Sequence, residues 1–190
     1  MFSGKNTRLK TFEQIALPYL KDLYNFARKL TKNESDAEDL TQETYLRAFE
    51  KFDRLKPGTD ARSWLFTVMY HLFIDSRKKA ENRYTFVEME KAEHIERDSA
   101  YLRDAFLYVD PREEDLEKFL ARVKPEDIRN ALNHLPEPYK TVMVLRDFHG
   151  FSYREIAEIT ELPIGTVMSR LSRGRKLLKE MVLKNLPPEE

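Results

Sequence analysis

The 190-residue sequence contains no cysteine and only five glycines. Without cysteine, the chain has no disulfide, thiolate metal site or thiol switch of its own, and an ordinary reducing cytoplasm suits it. The scarcity of glycine, together with many Leu, Glu, Lys, Arg and Ala residues, favours helices, because these side chains lose little rotamer freedom in a helix. We therefore predict an all-α fold.

The sequence also lacks a long apolar run. Its longest apolar stretch, at 64–74, contains His71 and is shorter than the roughly 20 residues that a transmembrane helix needs. The polar stretch at 1–10 has no apolar core of the kind found in signal peptides. These features predict a soluble, cytoplasmic protein without a membrane segment of its own.

The charges are balanced overall but segregated along the chain. The formal net charge is zero, yet residues 1–80 carry +4, residues 81–127 carry −6 and residues 128–190 carry +2. Two mildly basic ends therefore flank an acidic middle, a pattern that an overall net charge conceals.

The first half of the chain predicts three helices, at about 12–30, 35–52 and 61–79, because apolar residues recur there at helical spacing. Ser35 is expected to cap the second helix, with Glu38 completing a capping box. Pro57 and Gly58 are expected to end that helix. The expected core positions are Ile15, Leu20, Leu23, Tyr24, Ala27 and Leu30, then Ala37, Leu40, Thr44, Ala48 and Phe52, then Leu65, Val68, Met69, Leu72 and Phe73.

Residues 81–124 are rich in Glu, Arg and Asp and only weakly periodic, which is typical of a flexible acidic linker. A short amphipathic helix is expected within it, at 113–123. The chain is therefore predicted to form two small helical domains, 1–80 and 125–190, joined by this linker. In the second domain, helices are expected at about 128–135 and 139–149, with Gly150 ending the latter.

The residues after Gly150 have the pattern of a helix-turn-helix. Ser152 and Glu155 can form a capping box at the first helix, and Ala157 is small where two helices would cross. Pro163 lies at the start of the second helix, where its missing amide hydrogen does no harm. Glu161 occupies a turn position that often holds glycine, and a left-handed backbone there would cost on the order of 1 kcal/mol.

The second helix of this motif is expected to bury Val167, Leu171 and Leu178 and to present polar side chains to solvent. Short polar residues followed by arginines suit a helix that enters the major groove of DNA. The alternative is that 170–176 is only a solvated basic face near a helix C-terminus, which the helix dipole also favours.

Four segments, 36–49 (DAEDLTQETYLRAF), 64–66, 77–79 and 163–171 (PIGTVMSRL), resemble the extracytoplasmic function (ECF) sigma factors. The resemblance covers about 12–80 and 125–180. It implies a non-enzymatic subunit, without a metal or cofactor, that binds core RNA polymerase and promoter DNA. Its domains would be a region 2 type domain (1–80), an acidic linker (81–124) and a region 4 type domain (125–190). Within the family, the chain resembles the thiol-stress subgroup, which implies control by a zinc-containing anti-sigma factor.

The resemblance also assigns roles to individual residues. Asp39, Gln42, Glu43 and Leu46 match the face that meets a basic coiled coil of the largest polymerase subunit, although Asp39 would also complement the dipole of its helix. For the minus-ten element, the matching residues are Leu55, Lys56 and Thr59 around a captured base, His71 and Asp75 beside the DNA, and Arg77, Lys78 and Lys79 at phosphates. For the minus-thirty-five element, they are Arg154, Thr166, Met168, Ser169, Arg170, Ser172, Arg173 and Lys176.

Three other classes of protein remain alternatives. A one-component transcription regulator would use 1–80 for dimerisation or ligand binding, but the sequence has no obvious ligand-pocket signature. An enzyme acting on nucleic acids would need metal-ligand spacing or a phosphate-binding glycine loop, and neither is present. A helical adaptor would not need the helix-turn-helix.

Overall fold

The structure, a computed structural model, describes residues 3–31, 33–56, 58–81 and 123–185, and every regular element in these ranges is helical. Contacts divide the described residues into two compact units, one with the residues up to 81 and Ala157–Glu161, the other with the rest of 123–185. The all-α, two-domain prediction is confirmed. The predicted domain limits stay predictions, and the predicted linker and its helix at 113–123 lie almost entirely outside the described residues.

The first unit begins with two helices where the sequence predicted one. Helix α1 (Ser3–Ala16) is followed by a 3-10 turn (Leu17–Tyr19) and helix α2 (Leu20–Leu30). The prediction of one helix at 12–30 was wrong because Pro18 has no amide hydrogen and its ring opposes continuation of an α-helix. The 3-10 turn also changes the direction of the side chains, so that Leu20, a predicted core residue, is 46% exposed.

Helix α3 (Glu34–Lys51) begins one residue earlier than predicted, and its cap is a different residue. The Asn33 side chain accepts a hydrogen bond from the Asp36 amide at 2.8 Å, so Asn33 is the N-cap. The predicted Ser35 cap was wrong, because Asn33 already satisfies a free amide of the first turn and Ser35 lies within the helix. A 3-10 turn (Phe52–Arg54) follows the helix.

The core of the first unit lies between α2, α3 and helix α4 (Ala61–Glu81). The rings of Phe26 and Phe66 stack with centroids 5.1 Å apart at its centre. Full burial of a side chain such as Leu65 contributes about 1.5–3 kcal/mol. Of the predicted core positions, Leu23, Ala27, Leu30, Ala37, Thr44, Ala48, Leu65, Val68, Met69 and Phe73 are buried, whereas Ile15, Tyr24, Leu40, Phe52 and Leu72 are half-buried.

The second unit contains helices α5 (Pro125–His134) and α6 (Glu137–Met143), followed by a π-helical turn (Val144–Phe148). A single helix was predicted at 139–149, so the π-helical turn is a correction. Gly150 follows two residues after this turn, and its φ of 69° is the left-handed conformation that glycine adopts without strain. Ala131, Leu132 and Leu135 are buried, and Ile128 is half-buried.

The helix-turn-helix consists of α7 (Tyr153–Thr160) and α8 (Ile164–Asn185). The predicted capping box is present, since Glu155 accepts a hydrogen bond from the Ser152 amide at 2.7 Å and its own amide donates to Ser152 Oγ at 3.2 Å. Glu161 has φ of 56°, the strained turn that the sequence suggested. The predicted inward residues of α8, Val167, Leu171 and Leu178, are buried.

None of the described helices combines the length and the apolar character required to cross a membrane.

Candidate functional site

One face of α3 presents polar and apolar side chains to solvent. Asp39 and Gln42 are exposed, and Leu46 is 62% exposed, the largest value among the exposed large apolar residues of the described chain. Glu43 is half-buried. Positions 39, 42, 43 and 46 follow the helical spacing of three and four residues, so all four side chains share this face. An exposed leucine beside carboxylates suits a partner surface that is both basic and apolar.

Arg47 belongs to the same helix surface and was missed in the sequence. The Arg47 Nε donates a hydrogen bond to Glu43 Oε1 at 3.0 Å, and its NH1 group donates one to Glu50 Oε2 at 3.2 Å. The hydrogen bond with Glu43 is the main cause that raises the pKa of Arg47. Spacings of four and three residues are the signal that could have revealed these pairs.

A groove of about 360 Å³ adjoins this face between α2 and α3. Gln42 belongs both to the groove and to the exposed face of α3. Leu20, which is exposed and lies outside the core, forms part of the groove wall. The lining residues are Leu20, Lys21, Tyr24, Glu38, Thr41 and Gln42.

The predicted base-capture residues lie on the short loop between α3 and α4. Lys56 and Thr59 are exposed, and Leu55 is half-buried. The Leu55 amide donates to Phe52 O at 3.0 Å and the Thr59 amide donates to Lys56 O at 3.1 Å, so both halves of the loop are held by backbone hydrogen bonds. Gly58 has φ of 82°, a left-handed conformation.

Asp60 ends this loop and caps α4, a role that the sequence analysis missed. Its Oδ2 accepts a hydrogen bond from the Ser63 amide at 2.7 Å. Burial acts to raise the pKa of Asp60, but hydrogen bonds from Ser63 and the neighbouring Arg62 outweigh it and leave the pKa below its ordinary value. The sequence does contain a signal for this cap: Asp60 stands immediately before the first residue of the predicted helix, three residues before Ser63, and aspartate is a favoured N-cap.

The predicted DNA-facing residues of α4 are near its C-terminal half. Asp75, Lys78 and Lys79 are exposed, whereas His71 and Arg77 are half-buried. The Arg77 guanidinium lies 5.8 Å from the centroid of the Phe73 ring, a cation–π contact that orients it along the helix. Cations at this end of a helix also complement the helix dipole.

On α8, the predicted promoter-reading residues differ in exposure. Arg173 and Lys176 are exposed, as is Arg154 on α7. Ser169 Oγ donates to Thr166 O at 3.0 Å, a bond within the helix. Thr166, Met168, Ser169, Arg170 and Ser172 are half-buried, so part of each side chain faces solvent.

Arg175 lies within the same basic run but faces inward. Its side chain is 7% exposed, and its NH2 group is 2.9 Å from Asp147 Oδ1. The interpretation of 170–176 as a uniformly solvated basic face is therefore wrong at Arg175. The neighbouring Gly174 permits this packing, because a Cβ there would lie 2.7 Å from Met143 Sδ and 3.1 Å from Tyr139 Cβ, which brings α6 and α8 close together.

Both halves of the chain match known families. Residues 15–83 match the family described as Sigma-70 region 2, and residues 126–178 match Sigma-70, region 4. The ECF RNA polymerase sigma factor EcfG of Rhodopseudomonas palustris is 32% identical over 87% of this chain and 82% of its own. ECF sigma factor SigW of Bacillus subtilis is 30% identical over 90% and 88%. SigE of Mycolicibacterium smegmatis is 30% identical over 96% of this chain, which spans 66% of that relative.

Solved structures agree with the fold. The sigma factor RpoE of Bartonella quintana, solved in complex with the anti-sigma factor NepR, has a TM-score of 0.66 and is 28% identical over 93% of this chain and 99% of its own. CnrH, solved with the cytosolic domain of CnrY, has a TM-score of 0.62 at 22% identity and supports the fold alone.

The two matched regions define a sigma factor of RNA polymerase, a transcription initiation factor and not an enzyme. The chain belongs to the ECF family of sigma factors. It is therefore an alternative sigma factor that binds core RNA polymerase and promoter DNA and directs promoter-specific initiation.

Proposed function

We propose that the α3 face formed by Asp39, Gln42, Glu43 and Leu46 is the surface through which this sigma factor binds core polymerase. The exposure of Leu46 carries the proposal, because a leucine held 62% in solvent beside carboxylates gains most when a partner covers it. The carboxylates suit the basic coiled coil that the family resemblance implies. This face belongs to a region 2 type domain, for which we propose the limits 1–80.

The loop Leu55, Lys56 and Thr59 is proposed to hold a base flipped from the minus-ten element. Extrusion of a base costs a few kcal/mol, so the open state requires contacts that hold it. The backbone bonds from Leu55 to Phe52 and from Thr59 to Lys56 keep the loop ordered before DNA arrives. His71 and Asp75 would then lie beside the opened strand, with Arg77, Lys78 and Lys79 at phosphates.

The second domain, proposed as 125–190 with the acidic linker 81–124 before it, is proposed to read the minus-thirty-five element through α8. Arg173 is the strongest candidate for a base contact, because it is exposed and a guanidinium can bind a guanine edge with two hydrogen bonds. Lys176 and Arg154 suit phosphate contacts. Thr166, Met168, Ser169, Arg170 and Ser172 would complete the surface.

An anti-sigma factor is proposed to hold this cytoplasmic protein inactive, as NepR is bound to the related RpoE. The groove beside the α3 face is a suitable site, because a segment seated at Leu20 and Gln42 would also cover the polymerase surface. With no cysteine in the sequence, a response to thiol stress would require a separate, zinc-containing anti-sigma protein. Oxidant that changed the activity of the purified protein with core polymerase would contradict this division of roles.

Run-off transcription on genomic promoter fragments, with and without this protein added to core polymerase, tests the proposal as a whole. Discrete transcripts that depend on the protein are expected. Loss of those transcripts on substitution of Leu46 by Ser, with normal helical content, would assign the α3 face to polymerase binding. Unchanged transcription by that variant would remove the face from the proposal.

A further inference from the structure

Helix α1 packs against the C-terminal half of α3 through aromatic contacts. Phe12 is buried, and its ring lies edge-to-face on Phe49 at 5.2 Å and on Phe52 at 5.3 Å between centroids. Phe52 is the first residue of the 3-10 turn that leads into the loop 55–60. Most of α1, including Arg8 and Phe12, precedes the residues 15–83 that match Sigma-70 region 2. The helix therefore adds a support to the end of α3 that the family match does not assign.

Arg8 makes three contacts at that same point. Its Nε donates to Asp53 Oδ1 at 2.8 Å, and its NH2 group donates to Phe49 O at 2.7 Å. Its guanidinium also lies 4.4 Å from the centroid of the Phe49 ring. Phe49 O is in the last turn of α3 and also accepts the amide of Phe52, the first residue of the 3-10 turn. A cation is favourable at this end of a helix.

The geometry requires an arginine. The planar guanidinium offers donors in a fixed fork, so one side chain reaches a carboxylate and a carbonyl together, whereas a lysine ammonium is a single point. Arg8 therefore joins the carbonyl that closes α3 to the carboxylate of the following 3-10 turn. Asp53 is separated in sequence from Leu55, the first of the loop residues, by Arg54 alone.

The far end of the loop is fixed separately. The Asp60 side chain accepts from the Ser63 amide at 2.7 Å, which ties that end to the start of α4. Between these two attachments, the Leu55 and Thr59 amides donate to Phe52 O and Lys56 O. Loss of the Arg8 contacts would leave the Phe52 end of the loop with its local backbone hydrogen bonds and the packing of Phe12 on Phe52, but without the ion pair at Asp53.

We propose that Arg8 is a positioning residue for promoter opening, acting through Phe49 and Asp53 on the loop that carries Leu55, Lys56 and Thr59. The inference rests on the proposed role of that loop at the minus-ten element. It assigns to α1 a part in opening that is separate from polymerase binding, because Arg8 contacts the end of α3 and not the face formed by Asp39, Gln42 and Leu46.

The test uses the full-length protein bound to core polymerase on a promoter found by run-off transcription. The variants Arg8→Met, Arg8→Lys and Asp53→Asn are compared with Lys10→Met, an exposed control on the same helix. Affinity for core polymerase, permanganate reactivity of thymines in the minus-ten element and amide exchange at Leu55 are measured for each. Lys56→Ala and Thr59→Ala test the loop itself.

We expect Arg8→Met to lower the yield of open complexes about three- to tenfold, with core affinity unchanged and exchange at Leu55 faster. Arg8→Lys should lower the yield of open complexes less, because a lysine can keep the contact with Asp53. Lys10→Met should give the same yield as the unaltered protein. If Arg8→Met impairs folding, Asp53→Asn provides the comparison, because it weakens the ion pair and leaves Arg8 on Phe49.

The outcomes separate this inference from the proposed function. Normal opening by Arg8→Met and Asp53→Asn, while Lys56→Ala or Thr59→Ala reduces it, overturns the inference and leaves the loop's role intact. A parallel loss of core binding and opening would also overturn it, because it would show a general structural role. If neither loop variant affects opening, the loop's proposed role fails, and with it the part of Arg8 in opening.

Discussion

Arg175 and Asp147 form an ion pair that fastens α8 to the π-helical turn, with 2.9 Å between NH2 and Oδ1. The Arg175 side chain is 7% exposed and that of Asp147 is 28% exposed, so the pair is mostly shielded from water. The adjacent Arg146 lies 5.0 Å from the centroid of the Tyr153 ring at the start of α7. Consecutive residues of the π-helical turn therefore contact both helices of the helix-turn-helix.

Substitution of Arg175 by Met should lower the free energy of unfolding of the second domain by about 1–3 kcal/mol, because it removes the ion pair of a buried guanidinium with Asp147. Lys176→Met, at an exposed neighbouring position, should change it by less than about 0.5 kcal/mol. Urea unfolding followed by circular dichroism measures both values. Equal effects of the two substitutions would show that the Arg175 pair contributes no special stability.

Arg173 and Lys176 should differ in how they affect promoter binding. Arg173→Ala should weaken binding of the polymerase complex to the minus-thirty-five element by about 1–3 kcal/mol and relax base preference there, if its guanidinium reads a base edge. Lys176→Ala should weaken binding mildly and equally on all sequences, with a smaller salt dependence. Footprinting on mutated promoters distinguishes the two. Unchanged base preference in both variants would remove α8 from the reading surface.

Charge reversal at Asp39 and Glu43 together, to lysine, should abolish association with core polymerase while leaving helical content intact. Asp39 is exposed, and Glu43 would lose its surface ion pair with Arg47, a kind of pair that contributes little to stability. Pull-down with core enzyme measures the association. Glu13→Lys, at an exposed position on α1, is the matched control. Binding retained by the double variant would mean that these carboxylates serve only solvation and the helix dipole.

Two glycines with open space around them should respond oppositely to alanine. Gly150 has φ of 69° and no heavy atom within 4 Å of an added Cβ, so Gly150→Ala should destabilise the second domain by about 1–2 kcal/mol through backbone strain alone. Gly165 has equal space but lies within α8, so Gly165→Ala should stabilise it by about 0.5–1 kcal/mol. Thermal unfolding compares them. If both substitutions stabilised the domain, or both destabilised it, the explanation from backbone conformation would be wrong.

Apolar spacing predicted the inner faces of α4 and α8 well, because a continuous helix repeats its burial every three or four residues. The same spacing failed at Leu20, because the 3-10 turn at Pro18 changes the direction of the side chains that follow. Capping was predicted at Ser152 but misplaced at Ser35, where Asn33 offered the same chemistry two residues earlier. Local competition between similar polar residues is decided by backbone geometry that the sequence pattern does not contain.

The candidate site was predictable where exposure follows from a helical face, as at Asp39, Leu46 and Arg173. It was not predictable where a side chain meets a partner distant in sequence. Arg175 and Asp147 are 28 residues apart, and Arg8 and Asp53 are 45 apart. No local spacing links such residues, so a basic run such as 170–176 cannot be divided into solvated and packed members without the fold.

The free protein should bind duplex promoter DNA weakly. Residues 1–80 carry a net charge of only +4 and residues 128–190 only +2. Because counterion release scales with the phosphates neutralised, neither end alone provides enough charge for tight binding at physiological salt. Core polymerase would hold the two domains at the spacing of the two promoter elements, which makes the second contact effectively intramolecular. The acidic segment 81–127, with a net charge of −6, should further oppose nonspecific binding.

Salt titration of binding to promoter and scrambled duplexes, by the free protein and by its complex with core polymerase, measures this cooperation. The free protein should bind both duplexes weakly and with a steep salt dependence. The complex should prefer the promoter and produce permanganate-reactive thymines in the minus-ten element. A mixture of core polymerase with the Asp39 and Glu43 charge-reversal variant is the control. It should behave as core enzyme alone, because that variant is expected not to associate. Tight, promoter-specific binding by the free protein would contradict the argument, because it would show that one component suffices for recognition.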